Sequence, residues 1–423
     1  MNVLILGSGA REHAFAWKIS HSNKLNKLYV APGNAGTALI AKNLDIDITK
    51  FTIIKKYIID LNMNLVLVGP EIPLINGIVD YLKNDPYLQQ VQVLGPSKKG
   101  AKLEGSKDFS KQFMLRNNIP TAPYRTFDKT SLSEGLDYLS NINPPYVLKA
   151  DGPAAGKGVL IIHNLEKAKE ELTNMISNDK FGPSGSKVVI EGFLQGIEMS
   201  CFILFDNKNY LILPSAKDYK RIGKGDAGLN TGGMGSISPV TFADNEFNKK
   251  IENKIIKPTV SGIIKEKLNY VGFLFIGIIK VDNEPYVIEY NVRMGDPETQ
   301  VVLPRIKNDF LDLLISTVNC SLDSVVMEID KKSYVNVVLA SGGYPEKYEK
   351  GKIVSGLNNC KDSIIFHAGT ERVADKIKTS GGRVLSVVSS SSEFKSALQK
   401  SYSEVEKIKF QGKYFRPDIG FDL

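Results

Sequence analysis

A segment near position 290 carries side chains that could bind a metal ion and a phosphate. It reads "VIEYNVRMGDPETQ", Val287 to Gln300. Side chains two apart on a strand share a face, so Glu289, Asn291 and Arg293 are predicted to point the same way. Ile288 and Val292 are predicted to point into the core. A carboxylate beside an amide oxygen suits Mg²⁺ that also contacts nucleotide phosphates, and an arginine offers a planar fork to a carboxylate or phosphate.

The alternative for this segment is a strand whose polar face is merely solvated. The turn that follows adds two more carboxylates, Asp296 and Glu298, immediately beyond the proposed ligand pair. This addition favours the metal site.

A glycine-rich loop, "DGPAAGKG", begins at position 151. It is not a Walker A loop, because three residues rather than four separate its first glycine from Gly156 and because Lys157 is followed by Gly158 rather than Ser or Thr. A strand is also predicted after it, where a P-loop would have a helix. Small residues still allow backbone N–H groups to approach phosphates closely, and Lys149 lies just before the loop. We therefore predict phosphate binding over the alternative of an ordinary hairpin.

Two further segments fit a nucleotide site. In "SAKDYKRIGKGDAGLNTGGMGSISP", six glycines between Gly223 and Gly235 suggest a lid that carries Asp218 and Lys220 to the reaction centre, the alternative being a disordered surface loop. In "VIEGFLQGIE", a hinge after Glu191 could offer backbone hydrogen bonds to an adenine, and a carboxylate could bind the ribose hydroxyls.

The first strand and loop, "VLILGSGAREHA", resemble an incomplete dinucleotide-binding turn. Glu12 stands where GxGxxG requires its third glycine, so a nicotinamide site is disfavoured. Other apolar runs also end in small residues, in "LYVAPGNAG", "LVLVGPE" and "VQVLGPS". Parallel strands end this way in a doubly wound sheet, so the loops "GSGARE", "PGNAGT" and "GPE" are predicted to converge on one site.

Composition excludes several other classes. The 423 residues are 42% hydrophobic and 24% charged, which is typical of a soluble globular protein of about three domains. The three cysteines and four histidines are scattered, which argues against a disulfide framework or a zinc site. The net charge of +8 comes from lysines interspersed with acids, which argues against nucleic acid binding. No apolar run is long enough for a membrane span, and Met1 leads directly into a strand, so a cytoplasmic protein is expected.

The elements that must position these side chains follow from the apolar spacing. Strands and helices alternate up to about Glu104 and again beyond about Val326, with a more strand-rich region between, which predicts an α/β protein. Ser106 is predicted to cap a helix that ends near Asn117, and two long strands are predicted on either side of a turn at Asp282 to Glu284. The serines 389–392 are predicted to form a loop.

The motifs together resemble the glycinamide ribonucleotide synthetase family. "GSGAREHA", "APGNAGTA", "VGPE", "LEGSK", "KADGPAAGKGV", "NTGGMG", "NVRMGDPETQ", "FHAGT" and "GGRVL" occur in the family's order over essentially the whole chain. The resemblance implies an ATP-grasp fold: a biotin carboxylase-like, doubly wound N-terminal domain over residues 1–104, an ATP-grasp domain over 105–326 with a mobile subdomain at about 121–192, and a C-terminal α/β domain over 327–423.

The resemblance also implies an activity and its residues. The reaction is ligation of glycine to 5-phosphoribosylamine with ATP and Mg²⁺ or Mn²⁺, in purine biosynthesis, by a monomer or weak dimer. ATP would be bound by Lys107, Lys149, Gly156, Lys157, Gly158, Glu191, Leu194 and Glu198, and the metal by Glu289 and Asn291. Catalytic roles would fall to Asp218, Lys220, Arg293 and Asp296. Substrates would be bound by Gly9, Arg11, Glu12, Asn34, Ala35, Gly36, Pro70, Glu71, Pro297 and Glu298, with the sugar phosphate expected at the opening loop.

The sequence departs from the family pattern at four positions. Tyr219 replaces a usual histidine, Pro153 a usual leucine, and Val292 and Met294 a usual cysteine and phenylalanine. A general base at Tyr219 is therefore disfavoured. Three alternatives remain: another ATP-grasp ligase of a carboxylate and an amine, a nicotinamide oxidoreductase, and a nucleotide-binding regulatory protein without turnover.

Overall fold

The first apolar runs form a parallel sheet, as predicted. The structure is a computed structural model that describes residues 1–154, 158–178 and 180–423. Strand β1 pairs in parallel with β2 and β4, and β4 pairs in parallel with β5. The elements of this part are β1 (Asn2–Gly7), α1 (Ala10–Ile19), β2 (Lys27–Pro32), β3 (Lys42–Asn43), α2 (Phe51–Asp60), β4 (Leu65–Val68), α3 (Glu71–Asn76), α4 (Ile78–Lys83), β5 (Gln92–Pro96) and α5 (Lys102–Gly105).

A small four-stranded sheet follows, with its own hydrophobic core. The helix that precedes this sheet begins after Ser106, as predicted. The Ser106 hydroxyl caps this helix by accepting from the Phe109 N–H at 3.1 Å. The strand order is β6-β9-β7-β8, and two helices pack against the sheet. The elements are α6 (Lys107–Arg116), β6 (Tyr124–Asp128), α7 (Leu132–Ser140), β7 (Tyr146–Ala150), β8 (Val159–Ile162), α8 (Leu165–Ser177) and β9 (Lys187–Glu191).

The central strands extend the first sheet. Strand β16 pairs with β5 through Tyr270 and Val271, which gives a nine-stranded sheet in which β17 pairs with β16. The elements are β10 (Ile197–Phe205), β11 (Tyr210–Ile212), β12 (Lys217–Asp218), β13 (Arg221–Gly223), β14 (Ala227–Asn230), β15 (Gly235–Ser238), α9 (Asn245–Ile251), α10 (Lys257–Lys265), β16 (Tyr270–Val281), β17 (Glu284–Asn291), α11 (Thr299–Val302) and α12 (Phe310–Val318).

A five-stranded sheet combines three strands of the C-terminal part with two strands from the middle of the sequence. Its strand order is β12-β15-β18-β23-β20, so β12 joins this sheet through β15, which pairs with β18 about a hundred residues downstream. The remaining elements are β18 (Ser333–Ala340), β19 (Ile353–Val354), β20 (Ile364–His367), β21 (Thr370–Val373), β22 (Lys376–Thr379), β23 (Arg383–Ser391) and α13 (Phe394–Lys407).

One local prediction differs from the structure. The serines predicted as a loop are largely in a strand, because the backbone of Ser389 to Ser391 pairs with β18. In the glycine-rich segment, β13 and β14 form a hairpin, so the alternative of a disordered surface loop is wrong there, and the lid stays a prediction. No helix in the described residues is long and apolar enough to cross a membrane.

Candidate active site

A cavity of about 630 Å³ lies between the small sheet and the central strands. Most residues predicted for nucleotide, metal and catalytic roles line it, although they come from distant parts of the chain. Those that do are Glu71, Lys107, Lys149, Gly158, Glu191, Leu194, Glu198, Asp218, Lys220, Glu289, Asn291, Arg293, Asp296 and Glu298. Gly156 and Lys157 were also predicted to bind phosphate, but they lie outside the described residues.

A buried cluster of two lysines and one glutamate forms one wall. The ammonium groups of Lys149 and Lys111 each lie 3.0 Å from the same oxygen of Glu191, and all three side chains are buried. Burial alone would raise the pKa of Glu191, but Lys149 and Lys111 outweigh it and hold this pKa below its ordinary value. Glu191 is therefore engaged by cations, and its predicted adenine and ribose contact stays a prediction.

Lys111 was not predicted. It lies one helical turn after Lys107 in α6, and both side chains line the cavity. A lysine four residues after a predicted phosphate ligand, on a helix whose cap was recognised, is the signal that could have found it. Burial lowers the pKa of Lys107, and the Glu289 carboxylate opposes that change.

The proposed metal ligands, Glu289 and Asn291, both line the cavity at the end of β17. Among the described residues, no group of three or more His, Cys, Asp or Glu side chains could hold a metal alone. One carboxylate and one amide still fit Mg²⁺, which takes much of its coordination shell from phosphate oxygens and water.

The prediction that Ile288 points into the core is wrong. A β-bulge between β16 and β17 interrupts the alternation: Glu289 pairs with Gly277 and Val287 with Ile278, which leaves Ile288 as the extra residue. Ile288 is half-buried and lines the cavity beside Glu289. The bulge therefore turns two adjacent side chains toward the site.

Arg293 is held by two carboxylates. Its Nη2 donates to Glu104 Oε1 at 2.7 Å, and its Nε lies 3.5 Å from Glu71 Oε2. The other Glu104 oxygen accepts from the Val292 N–H at 2.7 Å. Burial raises the pKa of Glu104 to about 7 although Arg293 opposes the shift. Sequence reasoning missed Glu104, because "LEGSK" shows no spacing that links it to Arg293.

The turn after Arg293 connects three parts of the chain. Asp296 Oδ1 lies 3.3 Å from Arg383 Nη1 of β23, and Asp296 Oδ2 accepts from the Arg11 N–H at 3.3 Å. The Pro297 carbonyl accepts from the Ser236 hydroxyl at 2.6 Å. Arg383 was also missed, because its partner is almost ninety residues away in the sequence.

Glu298 is buried beside Asp218. Its carboxylate accepts one hydrogen bond from the Ser200 hydroxyl, at 3.1 Å. Burial and the nearby Asp218 charge raise its pKa to about 7. In the unfolded chain, the same carboxyl group ionises near 4.5.

We expect Glu298→Gln to stabilise the protein above pH 7, by about 1 to 3 kcal/mol. An acid whose pKa is raised on folding binds its proton more tightly in the folded state, so the wild type loses stability as pH rises from about 4.5 to about 7. Glutamine has no proton to lose, and its gain should vanish toward pH 4.5. Urea unfolding at pH 5 and pH 8 measures this difference, and equal gains at both values would contradict it. Because Glu298 lines the cavity, any activity at this site should fall even as stability rises.

The opening loops converge, as predicted. Glu12 fills the space of the absent glycine: its carboxylate accepts from the Gly9 N–H and from Arg11 Nε, each at 2.6 Å. The Asn34 amide donates to the Ser8 carbonyl at 2.9 Å, which joins the first two loops. Pro70 is the N-cap of α3.

The backbone donors at these loops are already used within the protein. Gly9 and Arg11 donate to carboxylates, Gly36 donates to the Asn34 side chain at 2.8 Å, and Ala35 donates to the Thr370 carbonyl at 3.2 Å. A phosphate at these amides would have to displace those acceptors. None of these four backbone N–H groups is therefore free to bind the sugar phosphate that was expected at the opening loop.

Of the four residues that depart from the family pattern, Tyr219 is the one whose side chain makes a hydrogen bond. Its buried hydroxyl donates to Asp422 Oδ1 at 2.9 Å. Val292 and Met294 are fully buried in the two large hydrophobic cores. The Pro153 carbonyl accepts from the Ser184 hydroxyl at 2.8 Å, which ties the described start of the glycine-rich loop to the segment before β9.

Known proteins similar to this chain share its full length. The profiles for the N domain, the ATP-grasp (A) domain and the C domain of phosphoribosylglycinamide synthetase match residues 1–104, 105–299 and 334–422. A phosphoribosylamine–glycine ligase of Fusobacterium nucleatum is 43% identical over 99% of this chain and 98% of its own. The crystal structure of a phosphoribosylamine–glycine ligase from Thermotoga maritima has a TM-score of 0.84 at 35% identity, covering 99% of this chain and 100% of the other.

A more distant structure has the same fold. Biotin carboxylase from Campylobacter jejuni has a TM-score of 0.75 at 13% identity, covering 100% of this chain and 96% of its own. The predicted fold class, an α/β ATP-grasp protein with a biotin carboxylase-like arrangement, is confirmed.

Proposed function

The chain belongs to the phosphoribosylglycinamide synthetase family of ATP-dependent ligases, and from this premise we propose that it joins glycine to 5-phosphoribosylamine to give glycinamide ribonucleotide, ADP and phosphate. The observation that carries the proposal is one cavity lined by Lys107, Lys149, Glu289, Asn291 and Arg293. This set can bind a nucleotide triphosphate with its metal and an amino acid carboxylate side by side.

The first step is phosphoryl transfer to glycine. A glycine carboxylate oxygen attacks the γ-phosphorus of ATP, the bond to the β-phosphate oxygen breaks, and ADP leaves with glycyl phosphate formed. The carboxylate is already ionised, so the protein must mainly hold two anions together. The lysine ammonium groups reduce this repulsion at the phosphates, and Arg293 does so at the carboxylate. Mg²⁺ or Mn²⁺ held by Glu289 and Asn291 would supply further positive charge.

The second step is amide formation. The amine nitrogen of phosphoribosylamine attacks the acyl carbon, phosphate leaves with its bonding electrons, and the nitrogen loses a proton. We place the sugar near the opening loops, with Glu71 and Asp296 between them and the nucleotide site. No protein nucleophile is required, because the acyl phosphate is itself activated. The site must exclude water, since acyl phosphates hydrolyse.

The proposal includes the remaining expectations from the sequence. The domain limits are 1–104, 105–326 and 327–423, with the mobile subdomain at about 121–192. The residue roles are those given for the family resemblance, the partners are the small-molecule substrates, and the location is the cytoplasm.

The deciding experiment measures ADP release with Mg²⁺, ATP, glycine and phosphoribosylamine generated in the assay. We expect release only when glycine and the amine are both present, and not when alanine replaces glycine. Release without the amine, or with another carboxylic acid, would keep the ATP-grasp chemistry and overturn the substrate assignment. Quenching of protein fluorescence by NADH would instead support an oxidoreductase.

A further inference from the structure

Near the end of the chain, Asp422 lines the cavity and contacts Lys217, on the strand that carries Asp218, and the adjacent Tyr219. We propose that Asp422 is a positioning residue for the nucleotide site, acting through Lys217 and Tyr219. This inference rests on the proposed function for the identity of the nucleotide, ATP. No motif near the end of the chain indicated such a role.

Each carboxylate oxygen of Asp422 contacts one side chain, the first that of Tyr219 and the second that of Lys217. The Tyr219 hydroxyl donates to Oδ1 at 2.9 Å, and the Lys217 ammonium lies 3.1 Å from Oδ2. Tyr219 is only 1% exposed and Lys217 only 6%, so water cannot easily replace the carboxylate. The Lys217 ammonium also lies 5.3 Å from the centre of the Tyr219 ring. Lys217 and Tyr219 are therefore a buried pair beside Asp218, and the Asp422 carboxylate, about a quarter exposed, contacts both of them from the surface.

Ion pairs of Arg416 and a hydrogen bond to Asp418 anchor the terminal segment that carries Asp422. Arg416 is fully buried and pairs with both oxygens of Asp418, at 3.0 and 2.9 Å. Its Nη1 donates to Asp226 at 2.6 Å, and the Gly225 N–H donates to Asp418 at 2.7 Å. The hairpin of β13 and β14 is thus tied to the same segment.

Gly420 fixes the path of the chain between this anchor and Asp422. Its φ is +83°, and a Cβ there would lie 2.3 Å from Phe394 Cζ. Ile419 beside it is buried. The backbone two residues before Asp422 is therefore closely packed.

Asp422 affects the charges of the nucleotide site through Lys217. Lys217 lies close to two cavity carboxylates: the pKa of Glu198 is lowered mainly by Lys220 with a smaller contribution from Lys217, and Lys217 also opposes the burial that raises the pKa of Asp218. The Lys217 ammonium is paired with Asp422, at 3.1 Å. Without Asp422, that ammonium is free to pair with Asp218 or Glu198, in competition with Lys220, which lies 3.0 Å from Glu198.

The test compares Asp422→Asn with the double variant Asp422→Asn, Lys217→Met. Asparagine keeps the shape and loses the charge, so we expect affinity for a non-hydrolysable ATP analogue to fall at least about tenfold, with KM for ATP rising to match and kcat changing less. Removing the Lys217 cation as well should restore most of the affinity, because the harm comes from its unpaired charge. Asp375→Asn, at an exposed position of the same C-terminal region, is the matched control and should leave affinity unchanged.

Unchanged analogue affinity in Asp422→Asn overturns the inference, whatever the enzyme's substrate. A loss that the double variant fails to restore also overturns it, as does a loss explained by a lower melting temperature. Failure of the proposed function is distinguishable, because it would appear in the wild type as ADP release that does not depend on glycine and the amine. Analogue binding can still be measured in that case.

Discussion

Replacing Glu289 by glutamine is expected to lower the rate of ADP release at least about 100-fold while the protein stays folded. The carboxylate lines the cavity at the end of β17, and its charge acts on Lys107 across the site. Glutamine keeps the size and the oxygen but removes the negative charge that a hard divalent cation requires. With the cation bound weakly, little offsets the repulsion between the γ-phosphate and the glycine carboxylate.

A matched control lies on the same strand. Glu284 begins β17 and pairs with Lys250 at 3.1 Å, partly exposed to solvent and outside the cavity lining. Glu284→Gln should release ADP at the wild-type rate, since exposed ion pairs contribute little. Turnover near the wild-type rate in Glu289→Gln would exclude Glu289 as the metal ligand. Thermal unfolding of both variants shows whether the fold is retained.

The elements that carry the site were predictable because they depend on local rules. A buried apolar run followed by small residues predicted β1 and its loop, and a serine before a helical pattern predicted the cap of α6. The turn between β16 and β17 was also predicted, and Asp282 and Asn283 have the positive φ angles such a tight hairpin needs. The parallel-strand pattern brought the opening loops together, and the family resemblance was needed to bring the later segments to the same site.

The failures have a common cause, which is pairing with residues outside the segment itself. Ile288 faces the cavity because of a bulge opposite Gly277, and alternation along one strand cannot predict a bulge. The serines 389–391 are in a strand because β18 supplies their hydrogen bonds, which overrides their weak strand propensity. Arg383 and Asp422 contact the site across almost ninety and about two hundred residues. Residues of this kind become visible only in the folded chain.

The second large effect concerns stability rather than catalysis: Glu191→Gln is expected to destabilise the protein by about 3 to 5 kcal/mol near pH 6. Glu191 Oε2 is shared by Lys111 and Lys149 at 3.0 Å each, and both lysines are buried. The Thr121 hydroxyl accepts from Lys111 at 2.7 Å but carries no charge to balance it. Glutamine would leave two buried ammonium groups close together without a counterion.

The destabilisation by Glu191→Gln is expected to depend on pH. The pKa of Glu191 is held below 4.5 in the folded state, so its stabilising contribution is present above pH 4.5 and is lost as pH falls below that value. Burial lowers the pKa of Lys111 to about 8 even with Glu191 present, so above pH 8 the lysine can lose its charge. The difference in unfolding free energy between wild type and Glu191→Gln should therefore be largest between about pH 5 and 7, and smaller on either side.

An exposed ion pair of the same length is the control for this experiment. Glu170 lies 3.0 Å from Lys167 on α8, and both side chains are at least half exposed. Glu170→Gln should cost less than about 1 kcal/mol, with little pH dependence. Denaturant unfolding at pH 4, 6 and 9 measures all three proteins. If Glu191→Gln were as mild as the control at pH 6, Glu191 could not be the counterion that stabilises the two buried lysines at the cavity wall.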